Sequence, residues 1–167
     1  MGELRAAGVE RLVDVRTAPG SRRHPQFNRT SLAETMPAGG IEYAWRKDLG
    51  GFRRPRPDSP HTALRNDSFR GYADYMDTPE FDQALTWLAE TSAAVRTALM
   101  CSETVWWRCH RRMIADALVV RGLTVVHLVG RTRGEHRLHP NARVVGLRLV
   151  YDVPDAQGAL PLDESPS

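Results

Sequence analysis

The residues of this chain best suited to chemistry fall between Val95 and Gly122, in the stretch VRTALMCSETVWWRCHRRMIADALVVRG. Both cysteines, two of the four tryptophans and a run of His and Arg side chains lie there. Cys109 stands at the expected start of a helix beside Arg108, His110 and Arg111, where the helix dipole, free N–H groups and local cations favour thiolate over thiol. It is either a nucleophile or a small buried residue. Cys101 closes an apolar run and can face Cys109 across the loop, which makes a reversible disulfide geometrically accessible. The seven residues between them are not the tight Cys-x-x-Cys redox motif. Glu103, two positions after Cys101, suits a general base or a charge partner of Arg108, Arg111 or His110.

Known phosphate loops do not match. The loop of a Cys-dependent phosphatase or arsenate reductase has one residue fewer between Cys and Arg than the six that separate Cys101 from Arg108. The logic of an anion held by backbone N–H groups and cations still applies. Neither a Walker loop nor a dinucleotide glycine fingerprint is present. Cys101, Cys109, His110 and His127 are potential zinc ligands, but no close pair resembles a zinc knuckle. Adjacent Cys109 and His110 are expected to diverge at a helix start, so the sequence predicts no metal and no cofactor.

Charge is placed where a ligand could use it. Residues 15–33 carry Arg16, Arg22, Arg23 and Arg29 with no acid, and residues 46–56 add five basic side chains against Asp48. Two basic loops suit an anionic small molecule or a nucleic acid. Arg16, Arg22, Arg108 and Arg111 are the candidate charge-neutralising residues. Asp14 is placed to fix Arg16 or His110. His127 either aims into the site or is a satisfied core histidine. Of Trp106 and Trp107, one is expected to pack beneath the loop while the other, Trp107, is available to stack on a ring or base.

The elements that must position these residues follow from periodicity. Residues 95–122 read as strand, loop and helix, which is where open α/β sheets place ligands. Gly2 to Ala7 read as the end of a helix with Gly8 beyond it. Val9 to Val15 read as a strand, apolar from Leu12 onward apart from Asp14, and Thr17 to Ser21 have turn chemistry. Asn28 or Ser31 caps a helix closed by Pro37 and Gly39-Gly40, and Ile41 to Trp45 form a strand. Residues 49–67, with three prolines, are a long irregular arm of the kind that covers active sites. Phe69, Tyr72, Tyr75 and Met76 anchor its far end on a short helix. Thr78 and Pro79 open a helix whose Phe81, Leu85 and Leu88 share one face. Met113, Ile114, Ala117 and Leu118 point inward from the helix after Cys109. Leu123 to Val129 is a further apolar strand, and Val144 to Tyr151 a strand segment bent at Gly146. These runs predict an α/β fold: a three-layer sandwich with a mostly parallel sheet and helices on both faces, Rossmann-like without the dinucleotide fingerprint. Residues 1–154 are expected to form one domain and residues 155–167 a flexible tail.

Composition sets the broad class. Apolar content of 41%, charged content of 26% and a formal charge of +3 are ordinary for a globular protein. No apolar run approaches the roughly 18 residues of a membrane span, and no signal-peptide hydrophobic region is visible. With two thiols and no disulfide scaffold, the expected location is the cytoplasm. The opening helix is too short to cover a sheet, which suggests that a strand precedes it and that its absence leaves open edges favouring dimerisation. Monomer and homodimer are equally compatible with the sequence.

These segments together resemble the domain of unknown function 488 family. The resemblance is carried by Val13-Asp-Val-Arg-Thr-Ala-Pro-Gly-Ser-Arg22, Asn28, Leu49-Gly-Gly to Asp58-Ser-Pro60, Phe69-Arg-Gly-Tyr72, Met100-Cys-Ser-Glu103 and Cys109-His-Arg111. It implies a compact three-layer α/β domain that usually begins with a Thr-Ile-Gly-His-Ser type strand, an opening this chain lacks. It also implies one cleft formed by Arg16, Arg22, Cys101, Glu103, Cys109, His110 and Arg111, without assigning a reaction. The expected function is binding of an anionic, phosphate-bearing ligand in a Cys/His/Arg cleft, with Cys109 or Cys101 as the reactive thiol. The alternative is a non-catalytic nucleic-acid-binding module that uses the basic loops and Trp106 or Trp107.

Overall fold

The computed structural model describes residues 1–130 and 132–153. The expected tail, residues 155–167, lies outside them. At the centre is β1 (Arg11–Asp14), flanked in parallel by β2 (Glu42–Trp45) and β3 (Thr97–Met100), in the order β2-β1-β3. Arg11 lies opposite Glu42 and Thr97, and Asp14 opposite Trp45 and Met100. Leu12, Val13 and Val15 are all buried, as a doubly covered parallel strand requires.

Alternation along the strands sends side chains to two cores. Leu12, Tyr43, Ala98 and Met100 join the cluster built on α1 (Gly2–Ala6) and α2 (Arg29–Ala38). Val13, Val15, Ala44, Leu99 and Cys101 join the larger cluster under α3 (Asp67–Met76), α4 (Pro79–Ala94) and α5 (Arg111–Val120). The expected inward residues Phe81, Leu85 and Leu88 of α4, and Met113, Ile114, Ala117 and Leu118 of α5, are buried there. Each large aliphatic side chain removed from water this way contributes about 1.5–3 kcal/mol.

Helix ends follow their local chemistry. Asn66 Oδ1 accepts N–H bonds from Ser68 and Phe69 at the start of α3, and Thr78 Oγ1 accepts one from Phe81 at the start of α4, with Pro79 in the first turn. Asn28 precedes α2, but its Oδ1 accepts the Ser21 N–H instead of capping the helix. Ser31 lies inside α2, and Pro37 is accommodated in its last turn.

Two expected strands have a different pairing. The apolar run after Gly122 does not extend the parallel sheet: β4 (Val126–Val129) pairs antiparallel with β5 (Thr132–Glu135). Gly130, at φ 57°, takes the left-handed conformation that reverses the chain. Likewise Val144 to Tyr151 is not one bent strand but the larger part of a hairpin. There β6 (Ala142–Val145) pairs with β7 (Arg148–Tyr151) across Gly146, at φ 63°. Among the described residues the parallel sheet thus has three strands, with two small antiparallel hairpins beside it. Among the described residues the outer edge of β3 has no strand partner, and a groove of about 1300 Å³ runs along it toward β4.

The arm over residues 49–67 is tied to α3. Tyr72 donates to the Leu49 carbonyl at 2.9 Å, Tyr75 to the Asp48 carbonyl at 2.6 Å, and the Arg56 N–H donates to Asp74 at 2.7 Å. A side chain at Gly71 would meet the Arg53 carbonyl at 2.4 Å, so glycine permits the close approach. Among the described residues no helix is long and apolar enough to cross a membrane.

Candidate functional site at the carboxyl edge of the sheet

Cys101 follows the last residue of β3, at the carboxyl edge of the parallel sheet. The loop then tightens into a 3₁₀ turn over Trp106–Arg108, closed by the Cys109 N–H on the Trp106 carbonyl at 3.2 Å. Cys109 is extended (φ −131°, ψ 151°), whereas His110 is already helical (φ −58°, ψ −16°), and α5 begins only at Arg111. This change of backbone conformation between neighbours brings their side chains together. Cys109 Sγ lies 3.6 Å from His110 Nδ1. The expectation that these two residues diverge is therefore corrected. The donor atoms of Cys101, Cys109 and His110 all lie within 4.8 Å of one another.

The surroundings fix the cluster. His110 Nε2 is 3.1 Å from the Val15 carbonyl, so it carries the proton and donates, leaving Nδ1 as a lone pair facing the sulfurs. The Tyr72 ring walls the imidazole, with centroids 5.0 Å apart. Gly51 packs on its other flank, where a Cβ would come 2.9 Å from Nδ1. Arg111 donates through Nε to Cys109 Sγ at 3.4 Å and through Nη2 to the Glu103 carbonyl, tying the two ends of the loop together.

The two thiols are electrostatically unequal. Cys109 is 3% exposed, while Cys101 is half-buried. The adjacent Cys109 thiol, together with the Glu103 backbone N–H, pulls the Cys101 thiol from the ordinary 9.0 down to about 5 against the opposing effect of burial. The neighbouring Cys101 sulfur and burial push Cys109 well up. Burial lowers His110, keeping its imidazole neutral.

The other sequence-predicted residues are dispersed. Arg16 is buried in a bidentate ion pair with Asp14 (2.8 and 2.6 Å) and donates to the Phe27 carbonyl, while Tyr43 also donates to Asp14. Asp14 thus fixes Arg16 and not His110, and the guanidinium is engaged internally. Arg22, Arg108 and the Glu103 side chain are exposed on loops. Trp107 is 41% exposed.

His127 is not part of the thiol cluster. It stacks flat on Trp106, with centroids 3.5 Å apart and planes 2° apart, and its Nε2 meets His136 Nδ1 at 2.8 Å. His136 Nε2 meets Asp116 at 2.9 Å, and Asp116 also accepts the Tyr151 hydroxyl and the His139 N–H. Burial, with His136 and the charges of Arg111 and Arg112, lowers His127 to about 4. Asp116, His136 and Tyr151 escaped the sequence reading. They lie far apart in the sequence and meet only in three dimensions.

Arg53 was also not singled out. Its guanidinium lies 3.8 Å over the Tyr75 ring, and its buried Nε has no hydrogen-bond partner among the described residues. Its charge acts on both Tyr72 and His110. The signal available was Gly50-Gly51 leading into an arginine-rich arm.

Fold and cluster define an α/β protein with two thiols and one neutral imidazole at the carboxyl edge of a parallel sheet. The family model described as domain of unknown function DUF488 matches residues 1–118, and the chain belongs to that family. The match covers Cys101, Cys109 and His110, and stops short of His127, His136 and Tyr151. Neither the curated proteins nor the solved structures gave a match.

Proposed function

We propose that this chain is a thiol-dependent protein that binds an anionic, phosphate-bearing ligand at the carboxyl edge of its sheet, with Cys101 as the reactive thiol. The observation that carries the reading is the unequal sulfur pair: the half-buried Cys101 has its Sγ within 4.8 Å of both the buried Cys109 Sγ and His110 Nδ1. A thiolate held in this way is available near neutral pH to attack an electrophilic atom of a ligand. Cys109 keeps the proton, Arg111 holds the loop, and His110 offers a neutral acceptor at Nδ1. Arg111, whose Nε donates to Cys109 Sγ, is the cation in contact with the cluster; Arg53 adds a second positive charge, and the exposed Arg108 and Arg22 extend the positive surface. Apolar clusters on both faces of β1 support the three-layer form of the fold.

The test is iodoacetamide labelling of each cysteine as a function of pH, read by peptide mass spectrometry in chelator, with and without a panel of nucleotides and polyphosphates. Cys101 should label with an apparent pKa far below 9, and a panel member should block it. Ordinary, ligand-independent reactivity at both sulfurs would overturn the reading. The exposed Trp107 next to Arg108 favours the nucleic-acid module as the second reading. Single-stranded DNA or RNA binding that falls steeply with salt, and is lost with Trp107→Ala, distinguishes it.

A further inference from the structure

The geometry points to a mononuclear site for a thiophilic divalent cation, of which Zn(II) is the reference, held by Cys101 Sγ, Cys109 Sγ and His110 Nδ1. Tetrahedral zinc, with bonds of about 2.3 Å to sulfur and 2.0 Å to nitrogen, sets donor–donor edges of roughly 3.5–3.8 Å. The Cys109–His110 edge is 3.6 Å, and all three donors fall within 4.8 Å, so small side-chain adjustments close the triangle.

The outer contacts are those a metal-binding imidazole requires. A backbone carbonyl, that of Val15, takes the Nε2 proton and aims Nδ1 at the sulfurs. Gly51 leaves the space beside Nδ1 that any side chain would fill. The Arg111 Nε–H on Cys109 Sγ is the hydrogen bond that stabilises a coordinated thiolate. Two thiolates and a neutral imidazole neutralise a dication and select against Mg and Ca, because the donor set contains no carboxylate. Three protein donors leave a fourth position, on the side of the half-buried Cys101, for water or an anion. Arg53 adds positive charge near the cluster and favours the anion.

The site reaches beyond the thiol reading, because coordination needs both sulfurs whether or not either is a nucleophile. If Cys101 is the reactive thiol, the cation also restrains it; that consequence alone rests on the proposed function.

The experiment is titration of the full chain, purified in chelator and exchanged out of it, with Co(II) followed by Zn(II). One Co(II) per chain should bind, with thiolate charge-transfer absorption and the intense visible bands of tetrahedral cobalt, and equimolar Zn(II) should displace it. Cys101→Ser, Cys109→Ser and His110→Asn should each weaken binding by more than about 100-fold, beyond the loss from an outer-shell partner. Full affinity in His110→Asn, or one cobalt per two chains, overturns the site, the former reducing it to a bare dithiol. Circular dichroism identifies any variant that fails to fold. In that event the unaltered protein decides: equimolar Zn(II) should protect both cysteines from iodoacetamide, reversibly by chelator, and absence of protection overturns the proposal. Labelling of the metal-free protein tests the thiol reading separately, so either can fail alone.

Discussion

Replacing Cys109 by Ala removes the largest of the effects that hold Cys101 at about 5. In the limit of a full return to 9.0, the Cys101 thiolate fraction at pH 6 falls from about 0.9 to about 0.001. Intrinsic nucleophilicity rises with basicity at a Brønsted slope of roughly 0.4–0.5, so four units return about 40–100-fold. The variant should therefore alkylate roughly 10–20-fold more slowly at pH 6, yet several tens-fold faster at pH 10, with the two profiles crossing near pH ~7. Cys109→Ser keeps a donor at the same place and should stay close to the unaltered profile. Iodoacetamide rates across this pH range, in chelator and resolved by peptide, measure all three. A Cys109→Ala profile superimposed on the unaltered one would refute the argument that the buried thiol sets the reactivity of the outer one.

Two further outcomes follow from buried polar groups. Asp14→Asn leaves the Arg16 guanidinium buried without its anion and should cost about 3–5 kcal/mol in urea unfolding; a loss below ~1 kcal/mol would show that water reaches the pair. The lowered proton affinities of His127, His110 and His61 make stability rise with pH, because below 6.5 the unfolded chain binds protons that the folded chain does not. The rise should span about pH 4 to 6.5 for His127, and His127→Gln should flatten part of it.

Where burial alone decides structure, the sequence was a sound guide. The apolar run Leu12 to Val15 reads as a strand covered on both faces, and it is the central one. Thr78-Pro79 and the Phe81, Leu85, Leu88 stripe read correctly as a helix start and a buried face, because capping and period are local. Pairing partners are not local. Leu123 to Val129 has the composition of a parallel strand, and only the left-handed Gly130 and the partner Thr132–Glu135 make it a hairpin. The site was legible to a similar depth. The sequence brought Cys101, Cys109 and His110 to one place, but the convergence of Cys109 and His110 depends on one extended residue preceding one helical residue. No composition reports that. Arg16 looked like a ligand cation because its engagement with Asp14 depends on how both side chains fold back into the core.

The register of the central sheet bears on how the protein is made. Arg11 pairs with Thr97, so β1 waits for a partner that leaves the ribosome much later. Non-local parallel pairing of this kind is slow, because loop closure precedes any reward from contact. Cys101 is the residue immediately after that late partner, and Cys109 and His110 follow within one loop. The three donor atoms therefore assemble after β3 has docked, in the same event that completes the sheet. A ribosome-stalled chain ending before α5 should thus carry two ordinary thiols, and whatever the site binds is a ligand of the finished fold alone.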